Sequence, residues 1–416
     1  MAGAARRAWI GAIPPLAWLL VALTAVCVLV GAVVRLSLLS AGSLWLDELW
    51  TLDAISRSLK EMAGARLVSD ANPPLWSLGS WLWLRLVGTY DAATMRLLPL
   101  GFGLLATAAP LVGAIRLRSL RPAFLVMAAL LALSMLTVQF AVELRSYSML
   151  IAFGTAATVL WAGLIVGDLP GRGGWIFLFA LLGALAGFSH YYGLLLYLGE
   201  SVVLLLAWTW DRAWPSVRLL VAWGVLSVVP VAAWLVLTLG WFPGIVVGYP
   251  PSLETIQTWL AYAFGPFSNV VAGHAPGYPY PAGPLGIETL LVILTVVAIA
   301  GAAAVQLIRR RGRRMLSGSA LIGAAALTVV AIGLAIASIA SLVLPPSMNY
   351  RNLAALTPAL FLAVGCAATL ASNERTRWLT GSAVVAVWLL AAAVFTARNG
   401  VASLAPAWQQ QAGYRA

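Results

Sequence analysis

The sequence predicts an all-α polytopic membrane protein with about eleven transmembrane helices and with amphipathic helices in its first extracytoplasmic loop. Of its 416 residues, 62% are hydrophobic and only 9% are charged, and the mean hydropathy is +0.95. Apolar runs of about twenty residues recur along the chain, the length that a bilayer requires. The net charge of +12 resides in short loops between these runs. That placement indicates membrane topology rather than nucleic-acid binding.

Eleven apolar runs have the length and composition of membrane spans. The first begins just after MAGAARRAWIG and is too long for the core of a signal peptide, so we expect it to be retained as a helix. We treat residues 1–416 as a single transmembrane domain with no separate soluble domain. The predicted spans are 10–39, 93–115, 122–140, 145–166, 175–190, 191–210, 219–241, 285–308, 318–344, 352–371 and 378–397.

The distribution of arginine predicts a cytoplasmic N-terminus and an extracytoplasmic C-terminus. In that orientation the inside loops hold 15 of the 25 basic residues, and the first outside loop holds six of the 13 acids. The inside loops are short and leave no room for a nucleotide-binding domain. We therefore expect a multi-pass protein of the plasma membrane whose chemistry lies on the extracytoplasmic side. Its two long outside segments are residues 40–92 and 242–284.

The first outside loop opens with SLWLDELWTLD, in which Asp47 and Glu48 lie between tryptophans. The pair can merely solvate a helix end, or it can supply the carboxylate that deprotonates a hydroxyl at the membrane surface. Further along, PLWSLGSWLWLRLVG is expected to lie along the bilayer surface. In SDANPPLW, Asn72 is expected to cap a helix whose first turn holds the two prolines. Either the stretch is only this cap, or Asp70 and the free amides of that turn face a cleft.

Three further outside helix ends carry polar residues. In QFAVELRSYSML, Glu143 and Arg145 form either a structural ion pair or part of a site, since charge near lipid needs a partner. In LPPSMNYRNLAALTPAL, Arg351 either snorkels to the interface or holds a phosphate. In GFSHYYGLL the histidine and tyrosines belong to an interfacial aromatic belt or to a substrate site; these residues are His190, Tyr191 and Tyr192.

Other polar features have less defined roles. Arg35 and Glu200 fall inside predicted spans, so each must be paired or face a cavity. The second long outside segment, rich in Gly, Pro and Tyr, is expected to be ordered but irregular. We expect part of it to change conformation on donor binding, with Tyr278 and Tyr280 stacking on a sugar.

Together these stretches resemble the GT-C superfamily of integral membrane glycosyltransferases, in particular glycosyltransferase family 39 and its bacterial relatives. That branch includes the protein O-mannosyltransferases and the lipid A aminoarabinose transferase. The matching stretches are LWLDELW, DANPPLW, ELRSYSML, FSHYYGLL and YRNLAALTPAL. The chain departs from the family pattern in having Asn72 for a histidine, in the inverted order Tyr350-Arg351, and in lacking a large soluble domain.

The resemblance implies transfer of a single sugar, most commonly mannose, from a polyprenyl-phosphate donor to an acceptor hydroxyl, with inversion. It implies Asp47 as general base with Glu48 beside it, and Arg351 and Arg145 as ligands of the donor phosphate. The partners would be that donor, an acceptor glycan, lipid or protein, and membrane lipids, with no nucleic acid. The implied or expected substrate-binding residues are Asp70, Asn72, Glu143, His190, Tyr191, Tyr192, Tyr278, Tyr280 and Tyr350.

Two other functions stay open at the level of sequence. One is a ligase or polymerase that moves a glycan from an undecaprenyl-diphosphate donor, and the other is a lipid-sugar transporter without enzymatic activity. A transporter should spread polar residues through its spans, whereas here they cluster at outside helix ends. A divalent cation beside Asp47, Glu48 and Asp70 is compatible with clustered carboxylates. No obligatory cofactor or metal is expected, because Arg145 and Arg351 can neutralise a phosphate.

Overall fold

The prediction of an all-α membrane protein is confirmed by the computed structural model. The structure describes residues 15–69, 72–169, 172–239, 252–264, 318–343, 348–371 and 373–399. Within these ranges the helices are α1 (Pro15–Leu38), α2 (Leu46–Ser56), α3 (Leu59–Ser69), α4 (Leu75–Val87), α5 (Ala92–Arg116), α6 (Arg121–Leu133), α7 (Met135–Ala141), α8 (Tyr147–Val166), α9 (Arg172–Ser189), α10 (Gly193–Trp210), α11 (Trp214–Leu239), α12 (Leu253–Phe264), α13 (Gly318–Val343), α14 (Thr357–Ala368) and α15 (Glu374–Asn399).

Among the described residues, eight helices are long and apolar enough to cross a membrane: α1, α5, α8, α9, α10, α11, α13 and α15. Helix α8 packs between α5 and α9, and α13 packs against α10. Much of α11 remains exposed through residues such as Val225, Leu226 and Val236. In a membrane protein that surface is the one that meets lipid, since exposed apolar side chains of this density would aggregate in water.

Two predicted spans differ from continuous transmembrane helices. The span 122–140 is broken at Ser134 into α6 and the seven-residue α7. The span 352–371 begins as a 3₁₀-helix, Asn352–Leu356, before α14. Helices α6, α7 and α14 are buried almost throughout, and α6 is surrounded by α1, α5, α14 and α15. A backbone break is tolerated at membrane depth when neighbouring protein satisfies the freed polar groups.

Arg35 supplies that compensation at the break between α6 and α7. Its guanidinium donates to the carbonyl of Ala132 at 2.6 Å and to that of Leu131 at 3.0 Å, and it also reaches Thr137 Oγ1 at 3.2 Å. The last carbonyls of a helix have no partner within the helix, and a cation there opposes the helix dipole favourably. The buried Arg35 therefore caps α6 from the neighbouring helix α1.

A glycine in α1 makes this approach feasible. A Cβ atom at Gly31 would lie 2.2 Å from the carbonyl oxygen of Ala132 and 2.8 Å from Nη1 of Arg35. No side chain fits in that space, so α1 and α6 approach as closely as their backbones allow.

Glu200 also finds a partner within the bundle. Its Oε1 lies 2.6 Å from Thr158 Oγ1 of α8, while Trp161 Nε1 donates to its backbone carbonyl. Glu200 is fully buried. The contact joins α8 to α10 near the middle of the latter helix.

The first long loop folds into α2, α3 and α4, in agreement with the expected amphipathic helices. Trp76 and Leu84 of α4 are buried in a small apolar cluster with Ile55 and Met62, while Leu82 and Leu86 are exposed. Helix α4 begins at Leu75, and Pro74 precedes it without a side-chain cap. Pro74 occupies the N-cap position, two residues after Asn72, so Asn72 is not the cap residue that was expected and neither proline lies in the first turn of the helix.

Part of the second long loop is also helical, which corrects the expectation of an irregular loop over 242–284. Helix α12 packs on α7 and on the 3₁₀-helix. Its residues 258, 259, 262, 263 and 264 are buried, the spacing of an amphipathic helix. The segment SLETIQTWLAYAF contains neither Gly nor Pro; the composition that indicated irregular structure belongs to the flanking residues 242–251 and 265–284. Those residues, and the predicted span 285–308, lie outside the described residues.

Two groups of helix ends and turns are joined by side-chain contacts. Asp47, Glu143 and Arg351 meet at one end of the bundle. The turn before α6 and the end of α8 meet elsewhere, through a hydrogen bond of 2.6 Å from Ser119 Oγ to Asp168 Oδ2. Both of these latter turns belong to loops that were expected on the cytoplasmic side.

Candidate active site

Four charged residues from three distant stretches converge where α2, α8 and the 3₁₀-helix begin. Asp47 lies in the first turn of α2, Glu143 and Arg145 in the turn between α7 and α8, and Arg351 directly before the 3₁₀-helix. Asp47 Oδ2 lies 3.4 Å from Arg351 Nη1 and 3.9 Å from Arg145 Nη2. Arg351 Nη2 also donates to Glu143 Oε1. The cluster thus pairs two carboxylates with two guanidinium groups.

Arg351 is the most enclosed member of this cluster. Its side chain is only 11% exposed. The guanidinium carbon lies 4.9 Å from the ring centre of Tyr147, 5.1 Å from that of Trp45 and 5.8 Å from that of Phe140. Aromatic faces attract a cation within about 6 Å. Burial lowers the pKa of Arg351, but Glu143 above all, with Tyr147, Tyr350 and Asp47, holds that pKa well above its usual range.

Glu143 is fully buried, and its two carboxylate oxygens have different surroundings. Oε1 accepts from Arg351, whereas no hydrogen-bond donor among the described residues reaches Oε2. Burial raises the pKa of this carboxyl to about 7, although Arg351 opposes the effect; Asp47 and Glu48 add to it. An unsatisfied buried carboxylate oxygen is costly, so Glu143 is the strained member of the cluster.

Asp47 and Arg145 face the solvent more than their partners do. The side chain of Asp47 is 34% exposed and that of Arg145 is 18% exposed. Arg145 lies in a tight turn, in which its amide donates to the Glu143 carbonyl at 2.6 Å. Asp47 and Arg145 are therefore the groups of the cluster that an incoming molecule can reach first.

Glu48 differs from its neighbour, because it is fully buried and all its contacts are internal. Oε2 accepts from Arg96 Nη2 at 2.7 Å and from the Trp45 amide at 3.2 Å. Oε1 accepts from Arg96 Nε at 3.0 Å and from the Leu144 amide at 2.8 Å. With four donors on two oxygens, Glu48 has no accepting capacity left for a reaction. It joins the first loop to the turn that carries Glu143 and Arg145.

Arg96 was not identified from the sequence. It completes the contact with Glu48 by donating to the carbonyls of Leu39 at 3.1 Å, Gly42 at 2.9 Å and Ser43 at 3.0 Å. Arg96 is the fourth residue of the predicted span 93–115, a position where an arginine is easily taken for one at the membrane boundary. The one available signal was an arginine within an otherwise apolar helix.

The His190 segment lies beside the cluster. The Tyr147 ring stacks on Phe140 at 4.5 Å, and its centre lies 5.4 Å from that of His190. Burial, reinforced by Arg145 and Arg351, lowers the pKa of His190 to about 3. The imidazole is neutral, and Nδ1 accepts from the Tyr192 amide at 3.3 Å, so Nε2 carries the hydrogen.

The neighbouring tyrosines have other contacts. Tyr191 hydrogen-bonds Thr238 of α11 at 3.0 Å, and burial raises its pKa to about 12. Tyr192 packs edge-on against His190 at 5.8 Å. Tyr350 stacks on Tyr262 of α12 with ring centres 4.8 Å apart. Substrate binding by these residues and by Asn72, which is partly buried before α4, stays a prediction.

Some candidate residues and the candidate cation cannot be placed in this geometry. Asp70, Tyr278 and Tyr280 lie outside the described residues. Among residues that the structure describes, no three His, Cys, Asp or Glu side chains are grouped as a metal site would need. Glu48, one of the carboxylates considered for a divalent cation, already accepts four hydrogen bonds. Binding of a divalent cation stays a prediction, and the described residues do not provide a set of ligands for it.

Comparisons with known proteins give limited guidance. No protein-family profile matches the chain, and no curated protein matches it either. Among solved structures, the chain is similar to ArnT from Cupriavidus metallidurans in the apo state, with 15% sequence identity and a TM-score of 0.43. The likeness covers 82% of this chain and 76% of that one.

Proposed function

We propose that the protein is a membrane glycosyltransferase of the GT-C type that acts at the extracytoplasmic face of the plasma membrane. It moves a single sugar, for which mannose is our first expectation, from a polyprenyl-phosphate donor to an acceptor hydroxyl. The observation that carries the proposal is the cluster of Asp47, Glu143, Arg145 and Arg351 at one end of an apolar helical bundle. It offers an exposed carboxylate beside two cations, where a lipid-linked phosphate and a water-borne acceptor can meet.

Asp47 is the general base in this proposal. Its exposed carboxylate accepts the proton of the acceptor hydroxyl while the acceptor oxygen bonds to the anomeric carbon. The bond between that carbon and the phosphate oxygen breaks, and its electron pair stays on the phosphate. The configuration at the anomeric carbon inverts, and the proton on Asp47 passes to water. General-base catalysis of this kind is worth about two to four orders of magnitude.

The arginines stabilise the leaving phosphate. A sugar phosphodiester carries one negative charge, and the departing polyprenyl phosphate carries a second. Fixed cations near that oxygen therefore stabilise the transition state more than the ground state. Arg145 is the more accessible ligand, since its contact with Asp47 is 3.9 Å long. Arg351, held by Glu143 and three rings, supplies a fixed positive charge behind it.

Glu48 is assigned a positioning role here in place of the catalytic one expected from the sequence. Its bonds to Arg96, Trp45 and Leu144 leave no lone pair for an acceptor proton. They tie the helix of Asp47 to the turn of Arg145. Glu48 thereby fixes the separation between the base and the phosphate ligand, and such placement contributes strongly to rate.

The proposal is tested by identifying the lipid that the protein binds and the group that it transfers. The protein, purified in nanodiscs, is examined by native mass spectrometry and is then incubated with polyprenyl-phosphate mannose and native membranes. We expect a bound polyprenyl monophosphate species and transfer of one sugar, which Asp47→Asn abolishes. Retention of a diphosphate-linked glycan instead would indicate a ligase. Movement of lipid-linked sugar across vesicles without transfer would indicate a transporter.

A further inference from the structure

The four charged side chains that the structure describes in this cluster sum to zero charge before any donor binds. Arg145 and Arg351 contribute two positive charges, and Asp47 and Glu143 contribute two negative charges when both are ionised. Glu48 and Arg96 cancel each other in direct contact, at 2.7 Å. A phosphodiester that enters this cluster adds one negative charge to a mostly enclosed site. Uncompensated charge in a poorly solvated environment is expensive, so the incoming anion requires a balancing positive charge.

We propose that Glu143 provides this balance by taking up one proton when the donor phosphate binds. The inference rests on the proposed function, because it assumes that an anionic phosphate occupies the cluster. It deepens that function by making donor binding depend on proton concentration. Once Glu143 is neutral, Asp47 and the phosphate together balance Arg145 and Arg351.

The geometry provides a place for the proton. Arg351 donates to Oε1 of Glu143, while Oε2 is buried and has no donor within reach among the described residues. A proton added to Oε2 leaves the contact with Arg351 intact. In the free protein the Glu143 carboxylate offsets part of the positive charge of Arg351. Once Glu143 is neutral, the full charge of Arg351 acts on the phosphate.

The other groups that face Glu143 are less suited to this role. Asp47 is one-third exposed and is the carboxylate that the proposed reaction uses as its base. Glu48 accepts four hydrogen bonds and is paired with Arg96. His190 is neutral, and burial lowers its pKa to about 3. Tyr147 is a phenol, a group that ordinarily titrates near pH 10. In contrast, burial already raises the pKa of Glu143 to about 7 in the free protein.

The sign of the pH dependence follows from this raised pKa. Below about pH 7 Glu143 is largely protonated before binding, so few protons are taken up and affinity is at its plateau. Bound phosphate raises the pKa of Glu143 further, because a second anion disfavours the carboxylate. At pH values between the pKa of Glu143 in the free protein and its pKa in the complex, uptake approaches one proton per phosphate. Affinity there falls up to tenfold for each unit of pH.

A phosphodiester probe separates this effect from titration of the ligand itself. Farnesyl methyl phosphate carries one fixed negative charge, whereas a phosphate monoester titrates near pH 6. Its binding to the full-length protein in nanodiscs is measured by calorimetry from pH 6 to 9. Buffers with different ionisation enthalpies report the number of protons taken up. The variant is Glu143→Gln, and the matched control is Asp53→Asn, which removes an exposed carboxylate from α2.

We expect uptake approaching one proton above pH 7 in the wild type and in Asp53→Asn, and none in Glu143→Gln, whose affinity should not vary with pH. Persistent uptake in Glu143→Gln, or binding without uptake in the wild type, overturns the inference while the phosphate site stands. No binding of the probe at any pH overturns the phosphate site and the inference together. If Glu143→Gln misfolds, infrared difference spectra of the wild type decide: binding must generate a protonated carboxyl band, and its absence overturns the inference.

Discussion

At the scale of single residues, Asp47 and Arg351 lie 3.4 Å apart, yet their substitution is expected to affect different properties. Asp47 is partly exposed at the start of α2. Arg351 is enclosed by a buried carboxylate and three aromatic rings. Loss of the first should change chemistry, and loss of the second should change both binding and stability.

Replacing Asp47 by Asn should lower turnover by about two to four orders of magnitude, because the amide cannot accept the acceptor proton. Folding and phosphate binding should persist, since the side chain is exposed and the replacement has the same shape. Single-turnover transfer and probe affinity are measured side by side, with Asp53→Asn as the control on the same helix. Turnover at the wild-type level in Asp47→Asn would remove Asp47 from the role of base.

Replacing Arg145 and replacing Arg351 should affect phosphate binding and stability differently. Arg145→Ala should weaken binding of farnesyl methyl phosphate without lowering thermal stability, because its only ion pair among the described residues is 3.9 Å long. Arg351→Ala should weaken binding and also lower the unfolding temperature, because Glu143 loses its cation. Arg351→Lys should be intermediate, since it keeps the charge but not the planar fork. Equal loss of stability in both alanine variants would contradict this division.

At the scale of helices and loops, the contact between Glu48 and Arg96 organises the first loop. It secures the segment from Leu39 to Ser43, the start of α2 and the turn before α8. The contribution of this buried pair to stability can be compared with that of a surface ion pair at α2. Arg57 and Asp53 lie 2.8 Å apart, but their side chains are 47% and 66% exposed.

Removal of Arg96 should therefore cost far more than removal of Arg57. Arg96→Met leaves Glu48 as an unpaired buried charge, which typically costs about 3–5 kcal/mol. Arg57→Met breaks an exposed pair worth about 0–1 kcal/mol. Equilibrium unfolding in the same detergent measures both variants against the wild type. Similar losses of stability in the two would show that the buried pair does not hold the loop.

Sequence patterns could identify charged residues that interrupt apolar stretches. They could not show which backbone groups those residues contact. Glu143, Arg145 and Arg351 stand out because they interrupt apolar stretches on one predicted side. Arg35 stood out for the same reason, yet its partners could not be named. They are carbonyls of Leu131 and Ala132, freed by a break at Ser134 that the apolar run conceals. Helix α12 was missed because the Gly- and Pro-rich residues on either side of it dominated the composition of the loop.

At the scale of the whole molecule, the predicted orientation can be read by labelling. Asp53→Cys in α2 should react with a membrane-impermeant maleimide on intact cells. Ser119→Cys, in the turn before α6, should react only after permeabilisation. The two natural cysteines, Cys27 and Cys366, are buried and should give little background. Labelling of Ser119→Cys on intact cells, with protection of Asp53→Cys, would reverse the assigned orientation.

The cap that Arg35 places on α6 also constrains how the chain assembles during synthesis. Its acceptors on α6 and α7 follow it by 96 to 102 residues. At about 5–20 residues per second, the guanidinium waits roughly 5–20 seconds for them to emerge. Until then an arginine in the last turn of α1 is best accommodated by snorkelling to the interface. The first helix is thus expected to enter the bilayer displaced toward the interface at its C-terminal end and to settle to its final depth only when α6 and α7 arrive.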